Sequence, residues 1–276
     1  MEAIRDSLTF IGREAELERL ASLLSDTLAG RGRVCFVTGE PGSGKSSLLA
    51  EFRSRSESQY PQLTFLDGDC NPQTGEADPY LPFREILGDA LDGLPRDERT
   101  GSRRSGSREW LAQAGRLISD YGPDLIDIFV PGAALVSRVG GQAAQSLRKR
   151  KGPGGSASGG DEPGGARILE QYINVIHAFA ERGPLVLVLD DLHWADAASV
   201  NLLFHLARRM ADHPVLLLGA YRENELHHAQ PGQRHPLGSV VNELRRMGGE
   251  VVIDLEQARE RQGREFVDRL LDAEPN

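Results

Sequence analysis

Residues Val34–Phe52 read VCFVTGEPGSGKSSLLAEF, and this stretch decides the fold. A five-residue apolar run, Val34–Thr38, has the β-type composition of a buried strand. Gly39, four residues, then Gly44, Lys45 and Ser46 complete the spacing G-x-x-x-x-G-K-[ST], and the segment from Lys45 has a helical pattern. Strand, glycine-rich turn and helix in that order wrap successive backbone N–H groups around a polyphosphate and aim a helix N-terminus at it. The glycines at 39, 42 and 44 let the backbone bend and approach without an intervening side chain. The segment Gly39, Glu40, Pro41, Gly42, Ser43, Gly44, Lys45, Ser46 and Ser47 is therefore the expected nucleotide cradle. Lys45 can reach the β- and γ-phosphates, and the Ser46 hydroxyl can ligate Mg²⁺.

Further along, Leu185–Asp196 reads LVLVLDDLHWAD, five apolar residues running into two adjacent carboxylates. A charge stranded at the edge of a core costs several kcal/mol unless something compensates it. A cation beside Ser46 would do so. Asp190, at the end of a neighbouring strand, is the expected Mg²⁺ partner, usually through a bound water. Adjacent side chains on an extended backbone point in different directions, so Asp191 is free to orient the water that attacks the γ-phosphate. Asp196, just ahead of a helix expected from Ser199, serves either as its cap or in catalysis. Trp194 is expected to pack under that helix.

Other β-type runs fall at Leu63–Leu66, Leu185–Leu189, Val215–Gly219 and Val251–Ile253. Helical patterns separate them at 14–28, 45–56, 81–91, 108–121, 166–182, 199–212, 237–247 and 258–271. Strands apolar on both faces and alternating with helices indicate a parallel sheet covered on both sides, an α/β fold in three layers. Gly152–Ala166, GPGGSASGGDEPGGA, has the composition of a flexible loop. Residues 1–254 are thus one core, interrupted by a helical insertion over about 95–165.

The chain has 276 residues and a formal net charge of -9, which argues against constitutive nucleic-acid coating. The basic runs LRKRK, Leu147–Lys151, and RDERTGSRRSGSR, Arg96–Arg108, lack interleaved aromatics for base stacking and read as solvated loop charge. Two cysteines, Cys35 and Cys70, are too few for a disulfide framework. No apolar run approaches the roughly 18 residues of a membrane helix, and the N-terminus has no secretory pattern. The expectation is a cytoplasmic protein without a membrane partner. His227, His228 and His235 lack a zinc-site spacing.

GEPGSGKSSLL and LVLVLDDLHWAD, with FIGREAELERL from Phe10 to Leu20 and LLLGAYRENEL from Leu216 to Leu226, resemble the ATPase module of the signal-transduction ATPases with numerous domains. The resemblance extends over about Phe10–Leu271 and is strongest to the ATPases that accompany bacterial transcriptional regulators, cyclases and kinases. It implies an AAA+-related P-loop NTPase core with a five-stranded parallel sheet in the order 5-1-4-3-2, ATP and Mg²⁺ as cofactors, and ATP hydrolysis used as a regulatory switch. It places Ile11, Gly12 and Arg13 against the adenine and ribose, and Arg222 at the γ-phosphate. A guanidinium at a strand's C-terminal edge faces the crevice where open α/β sheets bind ligands; the alternative for Arg222 is a surface pair with Glu223 or Glu225. Members usually continue into a helical lid, a winged helix and repeats or an output domain. Residues 255–276 are expected to be the first helix of a truncated lid, which leaves hydrolysis slow in isolation and implies self-association or output domains as partners beyond ATP and ADP. Two further readings stay open: a DNA-acting AAA+ ATPase related to origin-recognition proteins, and a nucleotide-binding scaffold with negligible turnover.

Overall fold

In the computed structural model, which describes residues 13–70, 79–92, 107–125, 129, 163–226, 235–248 and 252–258, five strands pair in parallel in the order β2-β3-β4-β1-β5. This is the expected order. The strands are β1 (Arg33–Thr38), β2 (Thr64–Asp69), β3 (Leu185–Asp190), β4 (Val215–Tyr221) and β5 (Val252–Asp254). Register aligns Thr38 with Tyr221 and Asp254, and Asp69 with Asp190, so the C-terminal ends of the strands lie along one rim.

Side chains of a strand alternate between faces, and here each face has its own helical cover. Cys35, Val37, Val186, Leu216 and Leu218 share one core with Leu17, Leu20 and Leu24 of α1 (Glu14–Leu28) and Leu48, Leu49 and Phe52 of α2 (Lys45–Gln59). Phe36, Leu185, Leu187, Leu189 and Leu217 point the other way. They meet α3 (Leu81–Asp92), α4 (Ser107–Tyr121), α5 (Pro163–Ala180), α6 (Ala197–Arg209) and α8 (Pro236–Gly248). Burial on both faces is why these strands read as continuous apolar runs rather than alternating ones. A short helix, α7 (Glu223–Leu226), follows β4 directly.

In the second core Tyr172 is fully buried. Its ring meets Phe83 edge-on, and its hydroxyl donates to the Phe83 carbonyl at 3.1 Å, so the phenol is satisfied although desolvation raises its pKa well above the ordinary range.

Three local expectations are corrected. Helix α5 begins at Pro163, inside the segment read as a loop, because proline is pre-organised for the first helical position and needs no N–H there. Helix α6 begins at Ala197, two residues earlier than expected, with Asp196 as its N-cap. Trp194 does not pack under α6 but is 48% exposed, because a 3₁₀ turn over Leu192–Trp194 buries Leu192 and His193 and turns the indole outward. The expected helix 258–271 is described only at Ala258, and the basic run Leu147–Lys151 lies outside the described residues.

Candidate nucleotide site

The loop between β1 and α2 takes the conformation its glycines permit. Gly42 has φ 78° and Gly44 φ 91°, values costly for residues with a Cβ. Ser43 N–H donates to Glu40 O at 3.1 Å, closing a tight turn, and Leu48 N–H to Gly44 O at 2.8 Å starts the helix. Helix α2 buries Leu48, Leu49, Phe52 and Ser56 at helical spacing, which fixes its axis with the N-terminus at the loop. A Cβ on Gly39 would lie 2.6 Å from Ser43 Oγ, so the loop closes on itself there.

Lys45 is 7% exposed and folds over the loop, its Nζ donating to Gly39 O at 2.8 Å and Glu40 O at 3.2 Å. Burial lowers its pKa first and the Arg222 charge adds to this, while Asp190, Asp191 and Glu40 push it back up. Glu40 in turn accepts from Asn224 Nδ2 on α7.

Ser46, on the first turn of α2, donates from Oγ to Asp190 Oδ2 at 3.0 Å across 144 residues of sequence. The other oxygen of Asp190 accepts the Asp191 N–H at 2.8 Å, which fixes the plane of the carboxylate. Asp191 has φ 50° and ψ 38°, a left-handed conformation that aspartate tolerates better than most residues and that turns the chain sharply off β3. Asp69, level with Asp190 on β2, has its pKa raised by burial and then by the charges of Asp190 and Asp191. The rim beside Ser46 therefore carries excess negative charge.

Arg222, immediately after β4, pairs with Glu225 Oε1 at 2.5 Å. That bond raises its pKa further above the ordinary value. Arg13 donates from its two terminal nitrogens to Leu255 O at 3.1 Å and Ser43 O at 3.2 Å, so its guanidinium is engaged by backbone carbonyls. Ile11 and Gly12 lie outside the described residues. Asp196 is occupied as a cap: Oδ1 accepts from Ala198 N at 2.8 Å and Ser199 N at 3.0 Å, and Oδ2 accepts the Ser199 hydroxyl and the Tyr80 N–H.

His193 was not singled out by sequence. Its side chain is fully buried, with Nε2 3.2 Å from Glu225 Oε2 and 3.7 Å from Asp191 Oδ1. Burial lowers its pKa, opposed by those two carboxylates. The pairing joins two strand ends through α7, so no sequence spacing signals it.

The donor set suits a magnesium–triphosphate complex. One hydroxyl and one oriented carboxylate face each other beside a lysine and a glycine loop. Among the described residues no group of three or more His, Cys, Asp or Glu is placed to hold a metal ion. A cation held by one hydroxyl and one carboxylate would complete its shell with phosphate oxygens and water.

The family model for the AAA ATPase domain matches residues 9–218. The chain belongs to this family. An AAA ATPase domain with this sheet order is a P-loop NTPase module, and the match covers both the loop and the β3 carboxylates. An uncharacterized protein of Rhizobium meliloti (strain 1021) is 29% identical over 215 residues, which is 77% of this chain and 18% of that protein. The chain thus spans about a fifth of the length of the curated relative it matches. No helix among the described residues of the AAA ATPase domain is long and apolar enough to cross a membrane.

Proposed function

We propose that this chain is an ATP-binding, Mg²⁺-dependent ATPase module acting as a regulatory switch in the cytoplasm, of the kind found in signal-transduction ATPases with numerous domains. The observation that supports it most is the 3.0 Å contact between Ser46 Oγ and Asp190 Oδ2 under the lysine-capped loop. In this reading the Gly39–Ser47 backbone holds the phosphates, and Lys45 leaves the Gly39 and Glu40 carbonyls for phosphate oxygens. Ser46 and Asp190 hold the cation, which when bound neutralises phosphate charge. Asp191 orients the attacking water. Arg222 leaves Glu225 to meet the γ-phosphate, and Ile11, Gly12 and Arg13 line the base. Gain and loss of γ-phosphate contacts select between two arrangements, read out by domains or copies beyond this segment.

The test is a thermal-shift series with Mg²⁺ and ATP, ADP or GTP, with phosphate release measured alongside. Ligand at a hundred times Kd adds about 2.7 kcal/mol of stability, and for a domain of this size that is about 5–10 °C. Lys45→Ala should abolish the shift, and Asp191→Asn should cut phosphate release while sparing binding. Absence of a Mg²⁺-dependent shift, or a full shift in Lys45→Ala, refutes the proposal.

A further inference from the structure

Arg222, the group read as meeting the γ-phosphate, is not free: Glu225 Oε1 holds it at 2.5 Å. The other oxygen of the same carboxylate, Oε2, faces His193 Nε2 at 3.2 Å, and that nitrogen also lies 3.7 Å from Asp191 Oδ1. The imidazole is completely enclosed, yet neither ring nitrogen has an aligned hydrogen-bond partner among the described residues. An enclosed polar group left in this state is destabilising, so the imidazole has bonding capacity that this arrangement leaves unused, with Nε2 facing two carboxylates of the candidate site. The Arg222 Nε is likewise buried without a partner among the described residues.

We infer that Glu225 and His193 are positioning residues that set the preference of this site for triphosphate over diphosphate. Glu225 competes with the γ-phosphate for the Arg222 guanidinium. With diphosphate, Arg222 stays on Glu225. With triphosphate it leaves, and the Glu225 carboxylate, deprived of its cation, is taken by the His193 Nε2–H. The same imidazole borders Asp191, so the departure of Arg222 is felt beside the residue read as orienting water. No bond to phosphorus is made or broken in this exchange; one carboxylate trades a guanidinium for an imidazole donor.

The inference rests on the nucleotide-site reading and has signed consequences. The measured quantity is the ratio of Kd for ADP to Kd for a non-hydrolysable ATP analogue, each by titration calorimetry with Mg²⁺. Glu225→Gln removes the competitor and should raise the ratio about fivefold, the lower end of site-to-site coupling. His193→Ala should lower it by a similar factor, because the abandoned carboxylate then has no donor, and His193→Gln should restore it by returning an N–H. In an Arg222→Ala background all three substitutions should leave the ratio unchanged within twofold. A merely structural role would weaken both nucleotides alike and would not vanish with Arg222. A ratio unmoved by Glu225→Gln, or moved equally with and without Arg222, overturns the inference. Should His193→Ala fail to fold, the Glu225–Arg222 cycle decides alone. A wild-type chain that binds neither nucleotide refutes the functional reading together with this one; binding of both with a flat cycle refutes this one only.

Discussion

Asp196→Ala separates a structural aspartate from a catalytic one within a single motif. In the folded protein this carboxylate makes four contacts: the N–H groups of Ala198 and Ser199 at the start of α6, the Ser199 hydroxyl, and the Tyr80 N–H at 3.2 Å. Loss of an N-cap costs about 1 kcal/mol. Ser199 is buried, so its abandoned hydroxyl adds about 1 kcal/mol, and the Tyr80 N–H about 1 more. Tyr80 itself sits at φ 64°, an unfavourable conformation that the Asp196 bond helps to hold. The total is about 3 kcal/mol, which for a domain of this size lowers Tm by about 6–12 °C. Asp196→Asn keeps an acceptor oxygen for the helix and should lose about a third as much. Thermal and urea unfolding followed by circular dichroism give the melting point and the stability, and phosphate release per folded molecule gives the function. The expectation is a large stability loss with turnover within twofold of wild type. A melting point within 2 °C of wild type together with a tenfold loss of turnover would refute the capping argument.

Trp194→Ser should cost less than about 0.5 kcal/mol in the same urea assay, as surface changes do, whereas a tryptophan packed under α6 would cost about 3–5 kcal/mol. Tyr172→Phe removes the buried hydroxyl's bond to the Phe83 carbonyl and should destabilise by about 1 kcal/mol at constant m-value. Burial lowers the pKa of His235, against the pull of the Ala195 carbonyl. Its Nδ1 accepts the Leu237 N–H while Nε2 contacts Ala195 O at 3.0 Å, which assigns the proton to Nε2. Because the folded pKa lies below the unfolded value, this contribution is present above about pH 6.5 and is lost as pH falls through the folded pKa. His235→Gln should therefore flatten the fall in urea midpoint between pH 7 and 5; an unchanged slope contradicts the assignment.

The sheet was legible because its signals are short-range. Apolar runs of four or five residues locate β1, β3 and β4, and the glycine spacing after β1 forces the turn that seats α2. The ends of elements were less so. The β2 strand runs on through Asp67, Gly68 and Asp69, polar or small residues that match no β-type run but are carried by pairing with β3. Pro163 opens α5 out of a glycine-rich stretch whose composition alone argues for a loop. Trp194 misled because a three-residue turn has no periodicity to assign a face, and the left-handed Asp191 before it redirects the chain. In the site, Lys45, Ser46 and Asp190 could be paired from their motifs. His193 could not, since its environment is made by Glu225, thirty-two positions away and on the far side of β4 in sequence.

One guanidinium, that of Arg13, grips Ser43 O on one side and Leu255 O on the other. Leu255 directly follows β5, where the chain leaves the sheet. Arg13 thus yokes the glycine loop to the outgoing backbone, so the position of the loop and the path of the chain beyond β5 bear on the same side chain.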